Sequence, residues 1–159
     1  MNPEIRRTVL RKIVHGVYVA GVKDDQHLNA LTVTWICQVS FQPPLVMVAI
    51  RKDGVSYGMI RAGRVFTLNL LSSGQKELAQ HFLKPAHLGA DKLAGMKYRL
   101  GRTGAPILEE TAAYVECEVR KIYDDAGDHA LVVGEVIEAG LHRDVEPLTL
   151  KETGWHYGG

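Results

Sequence analysis

The feature that most constrains this chain is a succession of strand-like runs that are separated by short turns, without regular helices between them. In LNALTVTWI, the side chains alternate between a larger apolar face and a face of small residues and hydroxyls. Similar runs cover residues 14–23, 45–50, 64–71, 112–123 and 129–140. Because parallel strands need crossover helices, the pattern predicts a mainly β fold. We expect an antiparallel barrel of roughly six or seven strands with two or three short peripheral helices.

The last long run predicts both a hairpin and a partner. The turn DDAGD joins a strand over residues 115–122 to a strand over residues 129–138. The second strand is apolar on both faces, with Leu131 and Val133 on one side and Val132 on the other. One face can fill a barrel, and a second subunit is the simplest cover for the other. The run over residues 45–50 is also apolar on both faces, and we expect it to be buried on both sides.

Composition narrows the class of protein. The 159 residues are the size of one domain, residues 1–159. A formal net charge of +1 argues against nucleic-acid binding, and no apolar run is long enough for a membrane span. The N-terminal sequence lacks the apolar core of a signal peptide. Cys37 and Cys117 lie inside strand-like runs, so we predict two buried, reduced thiols in a cytoplasmic protein. The seven histidines show no metal-ligand spacing, so we predict no metal site.

Two helices are predicted next to candidate site residues. SYGMIRAG, residues 56–63, is short and follows IRKDGV, which ends a buried strand in a turn. Arg51, Lys52 and the hydroxyl of Ser56 therefore meet the free N–H groups of a helix start, which is the composition of a phosphate site. The alternative is an ordinary charged turn with a serine N-cap. A second helix is predicted within residues 72–83, with Ser72 and Gln75 spaced as a capping box.

Three further positions are candidates on weaker grounds. The face of Thr32 and Thr34 leaves room for a flat ligand and offers hydroxyls, although it also fits a solvated outer face. Ser40 precedes a diproline turn that could hold its hydroxyl toward the same pocket, or is a plain strand connection. Lys92 lies in a long connection over residues 84–106, where ordered loops often carry function, or it is a solvated surface lysine.

His129 follows the turn Gly127-Asp128 at the start of the last strand. An imidazole beside a pocket can orient a substrate near neutral pH, whereas the alternative is a polar cap on a hairpin. The sequence contains no GxSxG, GxGxxG or P-loop pattern. A bound nucleotide would therefore need a different device.

The order of the segments resembles one known family. GVYVAGV, NALTVTWICQVSFQPPLVMVAI, SYGMI, ELAQHF, DKLAG, TGAPILEETAAYVECEV and GDHALVVGEV follow one another as in the flavin reductase-like family, the FMN-binding split barrels. The resemblance spans Val14 to Ile137, most of the chain. It implies a homodimeric, Greek-key-like split β-barrel that binds FMN, or FAD, near the dimer interface. It also implies reduction of that flavin by NADH or NADPH, in some members to supply a partner monooxygenase.

The resemblance also assigns roles to residues at matching positions. It places Asn29, Ala30, Thr32 and Thr34 along the isoalloxazine, with Ser40 ahead of the diproline. Arg51, Lys52, Ser56 and Tyr57 match the phosphate side, Lys92 matches the D-K element, and His129 matches the GDH histidine near flavin and nicotinamide. Other members keep FMN and carry electrons, so a flavoredoxin-like carrier or a non-catalytic flavin-binding module stays an alternative. LKETGWHYGG matches loosely, and Trp155 and His156 receive no role.

Overall fold

The structure is a computed structural model that describes residues 1–85 and 91–159. Its described residues form nine strands and four helices. The strands are β1 (Tyr18–Lys23), β2 (Leu28–Val33), β3 (Ile36–Ser40), β4 (Leu45–Arg51), β5 (Val65–Leu70), β6 (Tyr98–Leu100), β7 (Pro106–Leu108), β8 (Ala113–Tyr123) and β9 (His129–Leu141). The helices are α1 (Pro3–Leu10), α2 (Val55–Gly63), α3 (Lys76–Phe82) and α4 (Leu150–Thr153).

Seven strands form one antiparallel sheet in the order β2-β1-β5-β8-β9-β4-β3. The sheet is rolled up, because β2 contacts β4 although four strands separate them in this order. Within the described residues, β2 and β3 are the two edges and do not pair with each other, so the barrel is split. The predicted mainly β, antiparallel barrel with peripheral helices is confirmed.

Two apolar cores lie on opposite faces of this sheet. The inner core joins residues from both ends of the strand order, including Val22, Val48, Phe66 and Val132. The outer core packs α3 and the segment after β9 against β1 and β2, around Leu71 and Phe82. Burying these side chains removes apolar surface from water and fixes the two edges of the barrel near each other.

The β8–β9 hairpin has the two faces that the sequence predicts. Val132 is fully buried in the inner core, whereas Leu131 on the other face is 41% exposed. The expectation for β4 is met on one face only. Val48 and Ile50 are buried, while Met47 and Ala49, which alternate with them along the strand, are half-buried in the single chain. Alternation in these strands separates a core face from an outward face.

The prediction for the cysteines is half wrong. Both are free thiols, and Cys117 is fully buried, which raises its pKa to about 12. Cys37 is exposed instead. Its strand, β3, is an edge of the sheet and has a neighbour on one side only, so an apolar sequence context did not produce burial.

The helices differ from the sequence-based expectation in detail. The helix α1 was not predicted, and none of its residues is buried. The capping box before α3 is half-formed: the Gln75 side chain accepts the Ser72 N–H at 2.9 Å, but Gln75 is itself the N-cap. The connection over residues 84–106 contains β6 and the start of β7, and its residues 86–90 lie outside the described part of the chain. None of the helices in residues 1–85 and 91–159 is long and apolar enough to cross a membrane.

Candidate functional site

A cavity of about 800 Å³ opens where β2, β4, α2 and the C-terminal segment meet. We use "C-terminal segment" for residues 154–159. The walls are mostly apolar, with a few polar and charged side chains among them, as is typical of small-molecule sites. The lining includes Leu31, Thr32, Val33, Thr34, Trp35, Ile50, Arg51, Asp53, Gly54, Ser56, Phe82, Lys84, Lys92, Trp155, His156 and Tyr157.

One wall is the β4–α2 junction, residues 51–56. Arg51 ends β4 and forms a two-point ion pair with Asp53, whose Oδ1 lies 3.0 Å from the Arg51 Nε. This pair raises the pKa of Arg51 and lowers that of Asp53. Gly54 is the N-cap of α2 and brings no side-chain cap. The N–H groups of Val55 and Ser56 have no acceptor in the described part of the chain, so they are available to an anion.

Two buried oxygens near this junction lack hydrogen-bond partners among the described residues. Ser56 is buried, and its hydroxyl accepts a hydrogen bond from Asn29 Nδ2 at 3.1 Å. The other amide atom, Asn29 Oδ1, has no partner in the described residues. The same is true of Thr34 Oγ1, and Thr34 lines the cavity. Because a buried oxygen without a hydrogen bond is costly, the Thr34 hydroxyl fits a polar ligand atom in the cavity.

The other residues of the predicted β2 face point toward α3. Thr32 lines the cavity, but its hydroxyl donates to the carbonyl of Ala79 at 2.6 Å. Ala30 is fully buried in the outer core, outside the set of described residues that line the cavity. The face of small side chains therefore serves mainly to let α3 approach β2. Thr34 follows the last residue of β2, and its hydroxyl has no partner among the described residues.

Lys92 is a buried cation at the C-terminal end of α3. It is 9% exposed, and its ammonium donates to the carbonyls of Lys84 at 3.1 Å and Phe82 at 3.4 Å. Burial lowers the pKa of Lys92 to about 8. The two carbonyls use two of its three N–H groups, so the third is available to a ligand in the cavity.

His129 adjoins the cavity through its neighbours. In the sheet it pairs with Arg51, which places it at the β4–α2 junction. Its Nδ1 lies 2.7 Å from Asp128 Oδ1, and its Nε2 lies 2.8 Å from the Tyr157 hydroxyl. The ring packs at 4.7 Å against Trp35. His129 is outside the described cavity lining, whereas Trp35 and Tyr157 belong to it.

The C-terminal segment supplies site residues that the sequence reasoning missed. Trp155, His156 and Tyr157 all line the cavity, and the Tyr157 ring packs edge-on against Trp35 at 5.0 Å. Arg11 of α1 donates to the Gly158 carbonyl at 3.2 Å and holds the segment from outside. A signal was present, since three aromatic side chains in GWHYGG are unusual for an exposed chain end.

Three predicted site residues lie away from this cavity in the single chain. Ser40 pairs with Leu45 at the far end of β4. Lys52 directs its ammonium to the Asp124 carbonyl at 3.1 Å. Tyr57 is buried in the inner core and donates its hydroxyl to the Asp124 carboxylate, which raises the pKa of Tyr57. Lys52 and Tyr57 therefore hold the β8–β9 turn against α2. Each follows directly after a residue that lines the cavity, Arg51 or Ser56, so its side chain points in a different direction.

Comparison with known proteins gives the family. Residues 10–159 match the model of the flavin reductase like domain, and the chain belongs to this family. A probable flavin reductase of Rhizobium meliloti is 39% identical over 137 residues, which are 85% of this chain and 42% of the relative. Diflavin flavoprotein A 1 of Synechocystis sp. is 36% identical over 126 residues, 79% of this chain and 22% of the relative. The chain thus spans less than half the length of these curated relatives.

A solved structure extends the likeness over the whole chain. The NADH:FAD oxidoreductase SgcE6 of Streptomyces globisporus C-1027 superposes with a TM-score of 0.86 at 29% identity. The match covers 100% of this chain and 95% of that one. The predicted family resemblance is confirmed, and the cavity described above is that of a flavin reductase-like domain.

Proposed function

We propose that this protein is an NAD(P)H-dependent flavin reductase that binds FMN, with FAD as the alternative flavin. The observation that carries the proposal is the cavity itself. In a chain of the flavin reductase-like family, a helix start with free N–H groups adjoins apolar walls large enough for a tricyclic ring. The likeness to an NADH:FAD oxidoreductase supports a nicotinamide electron donor.

The charged and polar groups of the cavity fit the phosphorylated side of a flavin. The N–H groups of Val55 and Ser56 would hold the phosphate, with the Ser56 hydroxyl beside them and the positive end of α2 behind. The ammonium of Lys92 adds a positive charge and its one N–H group that no carbonyl uses. Arg51 is bound by Asp53 and contributes less net charge. We assign Asn29 to the support of Ser56 instead of direct contact.

The apolar walls fit the ring system. Val33, Ile50 and Phe82 offer flat apolar surface, and the unpartnered Thr34 hydroxyl offers one hydrogen bond to a ring heteroatom. When bound, a flavin accepts a hydride equivalent from the nicotinamide and supplies the redox chemistry. The protein's residues bind both rings and orient them, and the C-terminal segment covers one opening of the cavity. His129 acts through the groups it holds, Trp35 and Tyr157.

The test is a pair of measurements on the purified protein. A yellow protein, or a colourless one that binds added FMN or FAD, shows the flavin site. Steady-state NADH and NADPH oxidation with free flavin then distinguishes a reductase from a flavoredoxin-like carrier, which holds FMN tightly and takes electrons from a protein. Flavin binding without oxidation of either nucleotide would favour the carrier. A protein that binds no flavin would contradict the proposal.

A homodimer is part of the proposal. The outward face next to the edge strand β3 carries exposed apolar side chains, including Val39, Leu131 and Phe41, which is 90% exposed. A second copy is the cover that fits the dimer implied by the family resemblance and an open sheet edge. Ser40 lies on this face, so we propose that it meets the partner's surface. Phe41→Asp should then turn a dimer into a monomer, as measured by light scattering after size exclusion.

The proposal also covers the domain organisation, the acceptor of the reduced flavin and the cellular location. We propose that residues 1–159 act as one flavin-binding domain and that reduced flavin passes to a partner monooxygenase or an electron-transfer protein. A coupled assay, in which an added monooxygenase uses the reduced flavin, tests whether a monooxygenase is the acceptor. A cytoplasmic location is supported by two free thiols, which fit a reducing compartment.

A further inference from the structure

The C-terminal segment separates His129 from the cavity. This imidazole stands next to the cavity, yet its Nε2 is occupied by the Tyr157 hydroxyl at 2.8 Å. Its ring is covered by Trp35, and the His129 side chain is only 12% exposed. A ligand in the cavity therefore meets Trp35 and Tyr157 first. If the histidine influences a substrate in this arrangement, the influence passes through the hydroxyl of Tyr157.

The chain Asp128–His129–Tyr157 sets the direction of the tyrosine proton when the imidazole is neutral. Asp128 is held ionised because the His129 hydrogen bond lowers its pKa, so its carboxylate only accepts. The proton of a neutral imidazole is then on Nδ1, and Nε2 accepts. With the imidazole neutral, Tyr157 donates its own proton to Nε2. The remaining lone pairs of the phenolic oxygen are left for the cavity, which makes Tyr157 an acceptor toward a bound ligand.

We propose that Tyr157 is a specificity-determining residue that accepts a hydrogen bond from the carboxamide N–H of the nicotinamide donor. The inference rests on the proposed function, since it needs a nicotinamide nucleotide as substrate. An acceptor of fixed orientation selects a ligand with an N–H donor, and the nicotinamide ring carries one on its amide. His129 and Asp128 are positioning residues, because they hold the Tyr157 hydroxyl without contacting the substrate.

The position of Tyr157 favours the exchanging substrate over the flavin. Tyr157 is 39% exposed and belongs to the C-terminal end of the chain, at the rim of the cavity. The free hydroxyl of Thr34 and the buried Lys92 lie deeper. A nicotinamide that enters and leaves in each turnover meets the rim, whereas a flavin held by the β4–α2 junction uses the deeper groups. The Tyr157 ring is fixed for this contact by its edge-on packing against Trp35.

The experiment compares two reduced donors, NADH and its 3-acetylpyridine analogue, in which a methyl group replaces the amide NH₂. Loss of one hydrogen bond in Tyr157→Phe should lower kcat/KM for NADH about five- to tenfold. The value for the analogue should stay unchanged, so the preference for NADH shrinks by the same factor. The intrinsic reactivity difference between the donors cancels in this comparison of ratios. The Kd for FMN should not change.

A matched control is Tyr123→Phe, which removes the hydroxyl of an exposed tyrosine on β8. It should leave both donors unaffected. In the double variant with His129→Ala, the two changes should be non-additive, because both break the same chain. An unchanged donor ratio in Tyr157→Phe, or an equal loss for both donors, would overturn the inference while the reductase activity still stands. A wild-type protein that oxidises neither donor would instead overturn the proposed function and this inference with it.

Discussion

Two walls of one cavity, the β4–α2 junction and the C-terminal segment, are built in different ways. The junction is local: a strand end, the turn at Asp53 and Gly54, and a helix start follow within six residues. The C-terminal segment is placed by long-range contacts. Arg11 and Gly158 are 147 residues apart in sequence, and Tyr157 meets His129 across 28 residues. In the proposed function, the first wall would bind the charged end of the flavin, and the second would cover the rings.

The difference also predicts unequal stability. The junction is anchored by buried side chains of α2 such as Ile60 and Met59 in the inner core. The C-terminal segment depends on one exposed hydrogen bond to α1, a helix with no buried residue, on the hydrogen bond between Tyr157 and His129, and on edge-on packing of Tyr157 against Trp35. Regions with few buried apolar contacts open at low free-energy cost. We therefore expect changes at the junction to affect flavin affinity, and changes in the segment to affect turnover with the nicotinamide.

The largest effect is expected for Ser56→Asp at the junction. A carboxylate there still accepts the hydrogen bond of Asn29 Nδ2 and suits a helix start, so the fold is retained. It repels a phosphate at the same position, and the Kd for FMN should rise at least about 100-fold. Riboflavin, which lacks the phosphate, should bind within about threefold of its wild-type Kd. Fluorescence titration of both flavins measures the contrast.

A change of net charge alone must be separated from this effect. Gln26→Glu adds the same charge in the exposed β1–β2 turn and should leave both flavin affinities at their wild-type values. Equal weakening of FMN and riboflavin in Ser56→Asp would mean that the cavity has been distorted, and it would contradict the phosphate assignment.

The second prediction removes part of the other wall. A chain that ends after Trp155 loses Tyr157 and Gly158 but keeps the Trp155 packing on the outer core. We expect kcat/KM for NADH to fall about tenfold or more, since the amide contact and the cover of the rings are both lost. The Kd for FMN should change less than about threefold. Stopped-flow reduction of bound FMN measures the first quantity, and equilibrium titration measures the second.

The FMN affinity of the shortened chain tests whether the two walls have separate functions. A large loss of FMN affinity in the shortened chain would show that the C-terminal segment holds the flavin, against the division of roles. Thermal unfolding supplies the control, because the wild-type and shortened chains should unfold at similar temperatures if the segment only covers the cavity.

The same contrast explains what could be predicted from the sequence. The antiparallel barrel and α2 follow from alternation and turn chemistry, which are local. Arg51 and Ser56 both line the cavity, and they could be grouped from the sequence because strand ends and helix starts have short-range signatures. Lys52 and Tyr57 were grouped with them, although a shift of one residue turns a side chain to the other face of a strand or away along a helix.

Other misses come from contacts that no local pattern encodes. Cys37 has an apolar context, but its exposure depends on β3 being an edge strand. Ala30 is buried under α3, and the Thr32 hydroxyl donates to the Ala79 carbonyl although Thr32 still lines the cavity. Tyr157 belongs to a short terminal segment, and only the folded chain shows that it reaches His129. Sequence reasoning therefore identified the charged wall of the site and missed its cover.

The third prediction uses pH at Lys92. Because burial lowers its pKa to about 8, the ammonium is charged below that pH and loses its charge above it. Attraction to a phosphate is then present below about pH 8 and lost above, so the Kd for FMN should rise about threefold to fivefold between about pH 7 and pH 9. The variant Lys92→Met should bind FMN more weakly and show a flat profile over this range.

The deprotonation of Lys92 should weaken FMN binding but increase the stability of the folded chain. Between about pH 8 and the ordinary lysine value of 10.5, the unfolded chain binds more protons at Lys92 than the folded one. The free energy of unfolding contributed by this group therefore rises with pH in that window. Urea unfolding without flavin measures this rise against Lys92→Met. A falling contribution would contradict burial as the cause of the lowered pKa.

The smallest effect is expected for Arg11→Ala, which removes the hydrogen bond from α1 to the Gly158 carbonyl. This contact is exposed and contributes little free energy, so kcat/KM for NADH should fall only about twofold, with FMN affinity unchanged. Arg6→Ala, on the same helix without a described contact to the segment, is the matched control and should have no effect. If Arg11→Ala instead reproduced the full loss of the shortened chain, α1 would be the element that holds the cover in place. The edge-on packing of Tyr157 against Trp35 would then be a consequence of that anchor, and the two walls would differ in what secures them as well as in what they bind.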